Sequence, residues 1–233
     1  YAPINFSIGS QYIGERKKLI GDNNDAISRG FTCFLQNIFR KKSFRDSQLE
    51  SVVNLTKNLD TVILLPTGAG KSFIYQIVGM IMPGVTIVID PIVALMEDQV
   101  EGLKNYGIDR ITAIFKDNKN IDSDIKRIAN GEFLFSFIAP ERLQIEKFRG
   151  AIRSLAQTSL VNLAVIDEAH CVSEWGHEFR PSYLNVSRNI RNLGKDKNGI
   201  PPVIVALTGT ASRSVLKDVL TDLAIEDNEN SVI

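Results

Sequence analysis

The sequence predicts an α/β fold, in which a mostly parallel sheet is flanked by helices and preceded by a mainly helical N-terminal extension. From about residue 60 onward, short apolar runs rich in β-branched residues alternate with longer mixed segments. Such runs are typical of strands buried on both faces, and spacings of roughly 20 to 40 residues leave room for a crossover helix. Hydrophobic residues make up 44% of the 233 residues, enough for a sizeable core.

Each predicted element has a local signal. The apolar runs place the strands at 61–65, 85–89, 111–115, 133–138, 163–166 and 202–207. The segments between them predict helices at 72–82, 93–106, 121–130 and 212–224. Gly107 and Gly131 end two of these helices, and Ser212 is a candidate N-cap. Residues 31–60 look helical and begin the main domain, 31–233, whereas 1–30 form the extension.

Composition excludes several classes of protein. The sequence has neither a run of about 18 apolar residues nor the order of a signal peptide, so we expect no membrane contact and an intracellular location, in the cytoplasm, nucleoid or nucleus. Cys33 and Cys171 lack CxxC spacing, which indicates reduced thiols. Lys plus Arg equals Asp plus Glu at 27 each, so any contact with nucleic acid must be local.

A glycine loop follows the first predicted strand. In LLPTGAGKSF, residues 64–73, the backbone N–H groups ahead of a helix can meet a phosphate. Lys71 can reach the β and γ oxygens, and Ser72 can ligate Mg²⁺. Leu65 stands where the general P-loop pattern has its first glycine. A turn with a surface lysine is the alternative, but the order of strand, GxGKS and helix favours a P-loop NTPase. The predicted nucleotide contacts here are Thr67, Gly68, Ala69, Gly70, Lys71 and Ser72.

A pair of acids follows another strand, in LAVIDEAH. Asp167 at the strand tip can hold Mg²⁺ through its waters, and Glu168 can orient or deprotonate an attacking water. Two adjacent acids with different roles are typical of a hydrolase rather than a phosphotransferase. A GTPase is disfavoured because NKNID, residues 118–122, has the wrong spacing for a guanine-binding motif.

The stretch 167–183 concentrates unusual residues: the only Trp, both His and one of two Cys. It could form a zinc site, a hydrolytic centre or a surface that stacks on bases. The spacing of its His and Cys residues disfavours zinc. Trp175 and Phe179 can stack on unpaired bases, worth about 1–3 kcal/mol each, and Arg180 can contact a phosphate. The alternative is that these aromatics and Tyr183 are core residues, although the polar neighbours indicate a loop.

With PTGAGKS, DEAH and LTGTAS in this order, the chain resembles the first RecA-like lobe of a superfamily 2 helicase, and more closely the RecQ family of DNA helicases. PIVALMEDQV (91–100) is similar to the family's motif Ia, and IAPERL (138–143) to its next block. The resemblance covers about residues 44–224. It implies Mg²⁺-dependent ATP hydrolysis coupled to translocation on single-stranded DNA and to unwinding at duplex junctions.

The resemblance also implies roles for single residues. In FRDSQ (44–48), Gln48 would bond the adenine edge and Arg45 would lie close to it, while Lys41 replaces the aromatic residue that usually stacks on the base. Gly209 replaces an alanine in motif III. The implied catalytic residues are Glu168, Lys71 and His170, and the metal ligands are Ser72 and Asp167. The implied DNA contacts are Trp175, His177, Phe179 and Arg180, and the coupling residues are Thr208 and Thr210, through which His170 would act.

The region of resemblance ends shortly after motif III. Helicases of this class complete the ATP site with arginines from a second RecA-like lobe, which we therefore expect in a longer protein. On its own, the lobe is expected to hydrolyse ATP weakly or not at all and to unwind nothing. The alternative is an ATP-gated nucleic-acid-binding module in a larger assembly. The basic run FRKKSFR (39–45) is either a solvated face or a contact with the DNA backbone.

Overall fold

The computed structural model describes residues 24–45, 47–115, 120–173, 180–209, 211–228 and 231–233, with side chains from residue 28 onward. Within them, the helices are α1 (Asn24–Phe39), α2 (Gln48–Thr56), α3 (Lys71–Ile81), α4 (Val93–Asn105), α5 (Ile121–Ala129), α6 (Glu146–Thr158), α7 (Val186–Leu193) and α8 (Arg213–Asp222). The strands are β1 (Thr61–Leu64), β2 (Val85–Ile89), β3 (Ile111–Ile114), β4 (Phe135–Ile138), β5 (Val161–Ile166) and β6 (Val203–Thr208). Short 3-10 helices cover Pro140–Gln144, Ala169–Val172 and Pro181–Tyr183.

The described strands form one parallel sheet in the order β1-β6-β5-β2-β4-β3. Four of the strands, β2, β4, β5 and β6, are buried along their whole length, which explains why their sequences are nearly continuous apolar runs. Chain order and spatial order differ, since β6 lies between β1 and β5. In parallel sheets, ligands bind at the carboxyl ends of the strands where the order reverses, so this edge is the first place to look for a site.

Two hydrophobic layers cover the faces of the sheet. One contains α1, α2, α3 and α4 residues such as Phe39, Leu55 and Ile77. The other contains residues of α5, α6, α7 and α8, such as Phe148, Ile190 and Val219. No helix within the described ranges is both long and apolar enough to cross a membrane.

The structure confirms the predicted strands to within two residues at either end, and the predicted helices likewise. The Ser212 hydroxyl accepts a hydrogen bond from Val215 N at 3.3 Å, as expected of the N-cap of α8. Helices α6 and α7 were not predicted. The helical segment 31–60 divides into α1 and α2, because Arg40 and Ser47 between them have left-handed φ angles of 56° and 63°.

Residues 231–233 lie along the outer edge of β1. Val62 N donates to Ser231 O at 2.7 Å and Leu64 N donates to Ile233 O at 2.7 Å. Val62 and Val232 form a parallel bridge. Both edges of β1 are therefore hydrogen-bonded, one to β6 and one to residues 231–233.

Candidate active site

Three adjacent strands deliver the predicted site residues to one edge of the sheet. The glycine loop follows β1, Thr208 ends β6 and Asp167 follows β5. Asp167 N donates to Ile89 O at 2.9 Å, so the first acid is anchored to the end of β2 as well. Residues more than 100 positions apart in sequence thus meet because β6 is inserted between β1 and β5.

The glycine loop turns tightly into α3. Gly68 and Gly70 have φ angles of 78° and 81°, a left-handed conformation that costs glycine little. Gly70 is the N-cap of α3, so the free N–H groups of the first helical turn lie at the loop. Lys71 Nζ donates to Leu65 O at 2.9 Å, which folds the side chain over the loop. The free N–H groups of the helix start and the Lys71 side chain therefore lie together at the loop, an arrangement suited to binding a phosphate.

The loop before α2 is hydrogen-bonded to the glycine loop. Gln48 Nε2 donates to Ala69 O at 2.7 Å, and Gln48 Oε1 accepts from Arg45 N at 2.8 Å. Arg45 Nη1 donates to Gly68 O at 2.9 Å. Both polar atoms of the Gln48 amide are therefore hydrogen-bonded to backbone atoms of the protein.

A cavity of about 150 Å³ lies beside these contacts. Its wall includes Lys41, Arg45, Gln48 and Phe73. Lys41 Nζ lies 5.3 Å from the centroid of the Phe73 ring, a cation–π distance. Phe73, on α3, thus supplies an aromatic surface next to the position where the sequence has lysine instead of an aromatic residue.

The second acid lies in a chain of polar contacts between β5 and β6. Glu168 adopts a left-handed φ of 48°, which is uncommon for a residue with a side chain. Its Oε2 is 3.3 Å from His170 Nδ1, and the same nitrogen is 3.2 Å from Thr208 Oγ1. His170 therefore joins the second acid to the end of β6.

Two carboxyl groups at this edge have raised pKa values. Burial raises the pKa of Asp167 to about 6, with Glu168 adding to the shift and Lys71 opposing it. Burial also raises the pKa of Asp90, which directly follows β2, to about 7. Buried acids gathered at a sheet edge attract cations, and the oxygen donors of Ser72 and Asp167 are of the kind that Mg²⁺ prefers.

Comparison with known proteins assigns the fold and the family. The family model for DEAD/DEAH box helicases matches residues 45–219, a range that includes the glycine loop and both acids. The chain belongs to the DEAD/DEAH box helicase family. Within it, ATP-dependent DNA helicase Q-like 5 of Arabidopsis thaliana is 34% identical over 207 residues, 89% of this chain and 22% of that protein. ATP-dependent DNA helicase RecQ of Bacillus subtilis is 38% identical over 200 residues, 85% and 32% respectively.

The crystal structure of the Pyrococcus furiosus Hef helicase domain shares the fold of this DEAD/DEAH box helicase chain. Its TM-score is 0.61 at 17% identity, and the match covers 85% of this chain and 39% of that one. The RecA-like fold and the resemblance to RecQ helicases predicted from the sequence are thus confirmed. The chain spans about a fifth to a third of the length of the two relatives named above.

The aromatic-rich stretch of this DEAD/DEAH box helicase chain is partly outside the described residues. Trp175, His177 and Phe179 fall there, as does Thr210. The ends of the stretch are fixed, since Arg180 N donates to Cys171 O at 3.1 Å and Arg180 Nη1 donates to Pro91 O at 2.9 Å. Arg180 thus joins the segment after DEAH to the residues that precede α4.

The sequence left the role of Tyr183 open between core and base-stacking surface, and it did not single out Gln99. Tyr183 is 1% exposed and its hydroxyl donates to Asp167 O at 2.9 Å, which favours the core alternative for this aromatic. Gln99 Nε2 donates to Ser72 Oγ at 2.9 Å. The block PIVALMEDQV had marked the region of Gln99, but nothing in the pattern distinguished it from its neighbours.

Proposed function

We propose that this chain is the ATP-binding lobe of a RecQ-like ATP-dependent DNA helicase. In this role, hydrolysis of Mg²⁺-bound ATP is coupled to movement along single-stranded DNA and to unwinding at duplex junctions. The observation that carries the proposal is the convergence of the glycine loop, Glu168 and Thr208 at one sheet edge. Family membership and the names of the relatives, which are ATP-dependent DNA helicases, support it. Such a protein acts where the chromosome lies, in a nucleoid or nucleus.

In the proposed mechanism, the glycine loop and the first turn of α3 hold the β- and γ-phosphates by backbone N–H groups. Lys71 exchanges its bond to Leu65 O for a γ-phosphate oxygen. Ser72 and Asp167 would hold Mg²⁺, which neutralises charge that develops on the phosphates. Glu168 orients the attacking water and accepts its proton.

Base recognition is assigned to the cavity beside Gln48. Gln48 Oε1 accepts one hydrogen bond, from Arg45 N, and can therefore also accept one from the amino group of adenine. Gln48 Nε2 donates to Ala69 O and Gly70 O, so donating to the base requires one of these two contacts to open. Phe73 supplies an apolar surface, and the Lys41 ammonium takes the place of the stacking ring.

Lys71→Ala tests the nucleotide assignment. We expect the variant to lose detectable binding of a fluorescent ATP analogue while its melting temperature stays close to that of the wild type, since the lost contact is a single side-chain bond to Leu65 O. Isothermal calorimetry with ATP is the second measurement. Equal affinity in the variant and the wild type would rule out the assigned site.

DNA coupling is assigned to the aromatic-rich stretch, with Trp175, His177, Phe179 and Arg180 as contacts. Its fixed ends support this, because Cys171 and Arg180 connect it to the DEAH acids on one side and to Pro91 on the other. A base stacked on Trp175 can therefore shift Glu168 and His170 through a short segment of chain. His170 passes the shift to β6 through Thr208, with Thr210 as the next residue of the relay.

Trp175→Ala tests this coupling in a protein that includes the second lobe. We expect most of the stimulation of ATPase by single-stranded DNA to disappear, while DNA-free ATPase and ATP affinity remain near wild type. A thermal melt serves as the control, because loss of a core tryptophan would lower stability and both activities together. A variant that keeps its ratio of stimulated to basal ATPase contradicts the coupling role. Coupling without any unwinding would instead indicate an ATP-gated DNA-binding module.

A further inference from the structure

Helix α4 contacts the serine of the glycine loop through one side chain. Gln99, in the middle of α4, donates from Nε2 to Ser72 Oγ at 2.9 Å. Gln76 Nε2 donates to Gln99 Oε1 at 2.9 Å, and the Tyr75 hydroxyl is 3.5 Å from the same oxygen. Gln76 is 4% exposed and Tyr75 is fully buried, so water has little access to this group of polar atoms.

The direction of these hydrogen bonds follows from which amide atoms face each other. An amide oxygen accepts and an amide nitrogen donates. Since Gln76 donates to Gln99 Oε1, the nitrogen of Gln99 faces Ser72, and the Ser72 oxygen must accept. One lone pair of Ser72 is thereby used, and its proton points away from Gln99. The Tyr75 hydroxyl is a second hydrogen-bond partner of the Ser72 side chain.

We propose that Gln99 is a positioning residue that holds the Ser72 hydroxyl in the orientation required of a metal ligand. The inference rests on the proposed role of Ser72 as a ligand of Mg²⁺. A serine side chain has three staggered rotamers, and a fixed donor selects the one in which the oxygen meets that donor. Partners that orient a metal ligand in this way contribute strongly to metal affinity.

The contact also gives a physical role to the block 91–100. Val93 and Leu95, in the first turn of α4, are 38% and 39% exposed, whereas Gln99 is partly buried against α3. The first turn of α4 is therefore exposed at the surface, while Gln99 further along the helix contacts Ser72, the proposed metal ligand. A shift of α4 along its axis would displace the donor of Ser72.

The experiment measures the dependence of nucleotide affinity on Mg²⁺. A fluorescent ATP analogue is titrated into the wild type and Gln99→Met, first in EDTA and then over a series of Mg²⁺ concentrations. Gln99→Met keeps the length of the side chain and removes its donor. We expect equal affinity in EDTA, and a rise of roughly tenfold in the Mg²⁺ concentration needed for half of the gain in affinity. Gln157→Met, on the exposed part of α6, is the matched control and should change neither quantity.

Ser72→Ala separates this inference from the assignment on which it rests. We expect Ser72→Ala by itself to raise the Mg²⁺ concentration needed for half of the gain in affinity, and Gln99→Met to add nothing in the double variant. If Ser72→Ala leaves Mg²⁺ dependence unchanged, the metal assignment fails and the role of Gln99 fails with it. If Ser72→Ala raises the Mg²⁺ concentration needed for half of the gain in affinity and Gln99→Met does not, only the role of Gln99 is overturned. An equal loss of affinity with and without Mg²⁺ in Gln99→Met would indicate a structural residue and overturns the inference as well.

A melting curve accompanies each variant because Gln76 loses an acceptor in Gln99→Met. Should that variant fail to fold, Gln99→Ala replaces it, since the smaller side chain lets water reach Gln76. We expect Gln99→Ala to raise the Mg²⁺ concentration needed for half of the gain in affinity by the same factor. If a folded Gln99→Ala protein shows no such rise, the role of Gln99 is overturned.

Discussion

Asp90 illustrates how a single side chain at the sheet edge has both a structural and an electrostatic role. It is 1% exposed, and its Oδ1 accepts a hydrogen bond from Ile92 N at 2.8 Å, which shapes the turn between β2 and α4. Burial raises its pKa to about 7, and the charges of Asp167 and Glu168 contribute to the shift. Near neutral pH, the folded protein therefore holds a proton that the unfolded chain has already released.

Replacing Asp90 with asparagine should change how stability depends on pH. Because the pKa is raised in the folded state, the favourable contribution of Asp90 is complete below about pH 4 and is lost as pH rises through about 7. The asparagine side chain keeps an acceptor for Ile92 N and does not ionise. We therefore expect the free energy of unfolding of Asp90→Asn, relative to wild type, to increase by about 2–3 kcal/mol between pH 5 and pH 8. Urea unfolding in EDTA at each pH measures this difference in the free energy of unfolding. A difference that stays constant between pH 5 and pH 8 would contradict the prediction.

At the residue scale, the sequence predicts the chemistry of motifs better than the contacts around them. Lys71, Asp167 and Glu168 could be named because each follows a strand with a recognisable pattern. Asp90 also follows a strand, but its raised pKa depends on the acids of β5, which only the spatial order of the sheet reveals. Gln99 was hidden for the same reason, since its partner lies on α3.

At the element scale, the turn after β6 has room for a side chain at the position where this sequence has Gly209. A Cβ atom added at Gly209 would lie 3.4 Å from Thr67 Oγ1 and 3.7 Å from Lys71 Nζ, ordinary contacts. Gly209 is also absent from the glycines with positive φ. The turn therefore has room for the alanine that the RecQ family more often carries, and glycine here adds freedom mainly to the unfolded chain.

Gly209→Ala should accordingly stabilise the protein. We expect a gain of about 0.4–1 kcal/mol in the free energy of unfolding, because alanine restricts the unfolded chain without strain in the fold. Gly70→Ala is the matched comparison and should lose stability, since its φ is 81° and its Cβ would lie 2.9 Å from Gln48 Nε2. Urea denaturation compares both variants with wild type. A loss of stability in Gly209→Ala would show that the turn tolerates no side chain.

The elements themselves were predictable to different degrees. Strands such as β2 were found because burial on both faces leaves a continuous apolar run. Helix α6 does have a helical pattern, since Phe148, Ile152 and Leu155 lie on one buried face. It was not predicted, because the prediction relied on the spacing between strands. Helix α7 covers only 8 residues, Val186–Leu193, too few for a reliable period.

At the scale of the whole molecule, the fold accounts for one RecA-like lobe, and the resemblance to RecQ helicases implies a second. We expect residues 1–233 alone to hydrolyse ATP slowly and to unwind no DNA, because the arginines that complete such sites come from the second lobe. Adding that lobe should raise turnover by about a hundredfold or more, and Glu168→Gln should then abolish it. Steady-state ATPase and strand-separation assays measure this. Efficient unwinding by the 233 residues alone would contradict it.

Residues 231–233 have a consequence for the solution behaviour of the lobe. They occupy the N–H and C=O groups along the outer edge of β1, the strand that leads into the glycine loop. An uncovered strand edge is a template on which other chains can pair. A protein shortened to residue 228 would expose that edge, and we expect it to self-associate more readily than the wild type. Residues 231–233 thus cover the edge of β1 with which another chain could otherwise pair.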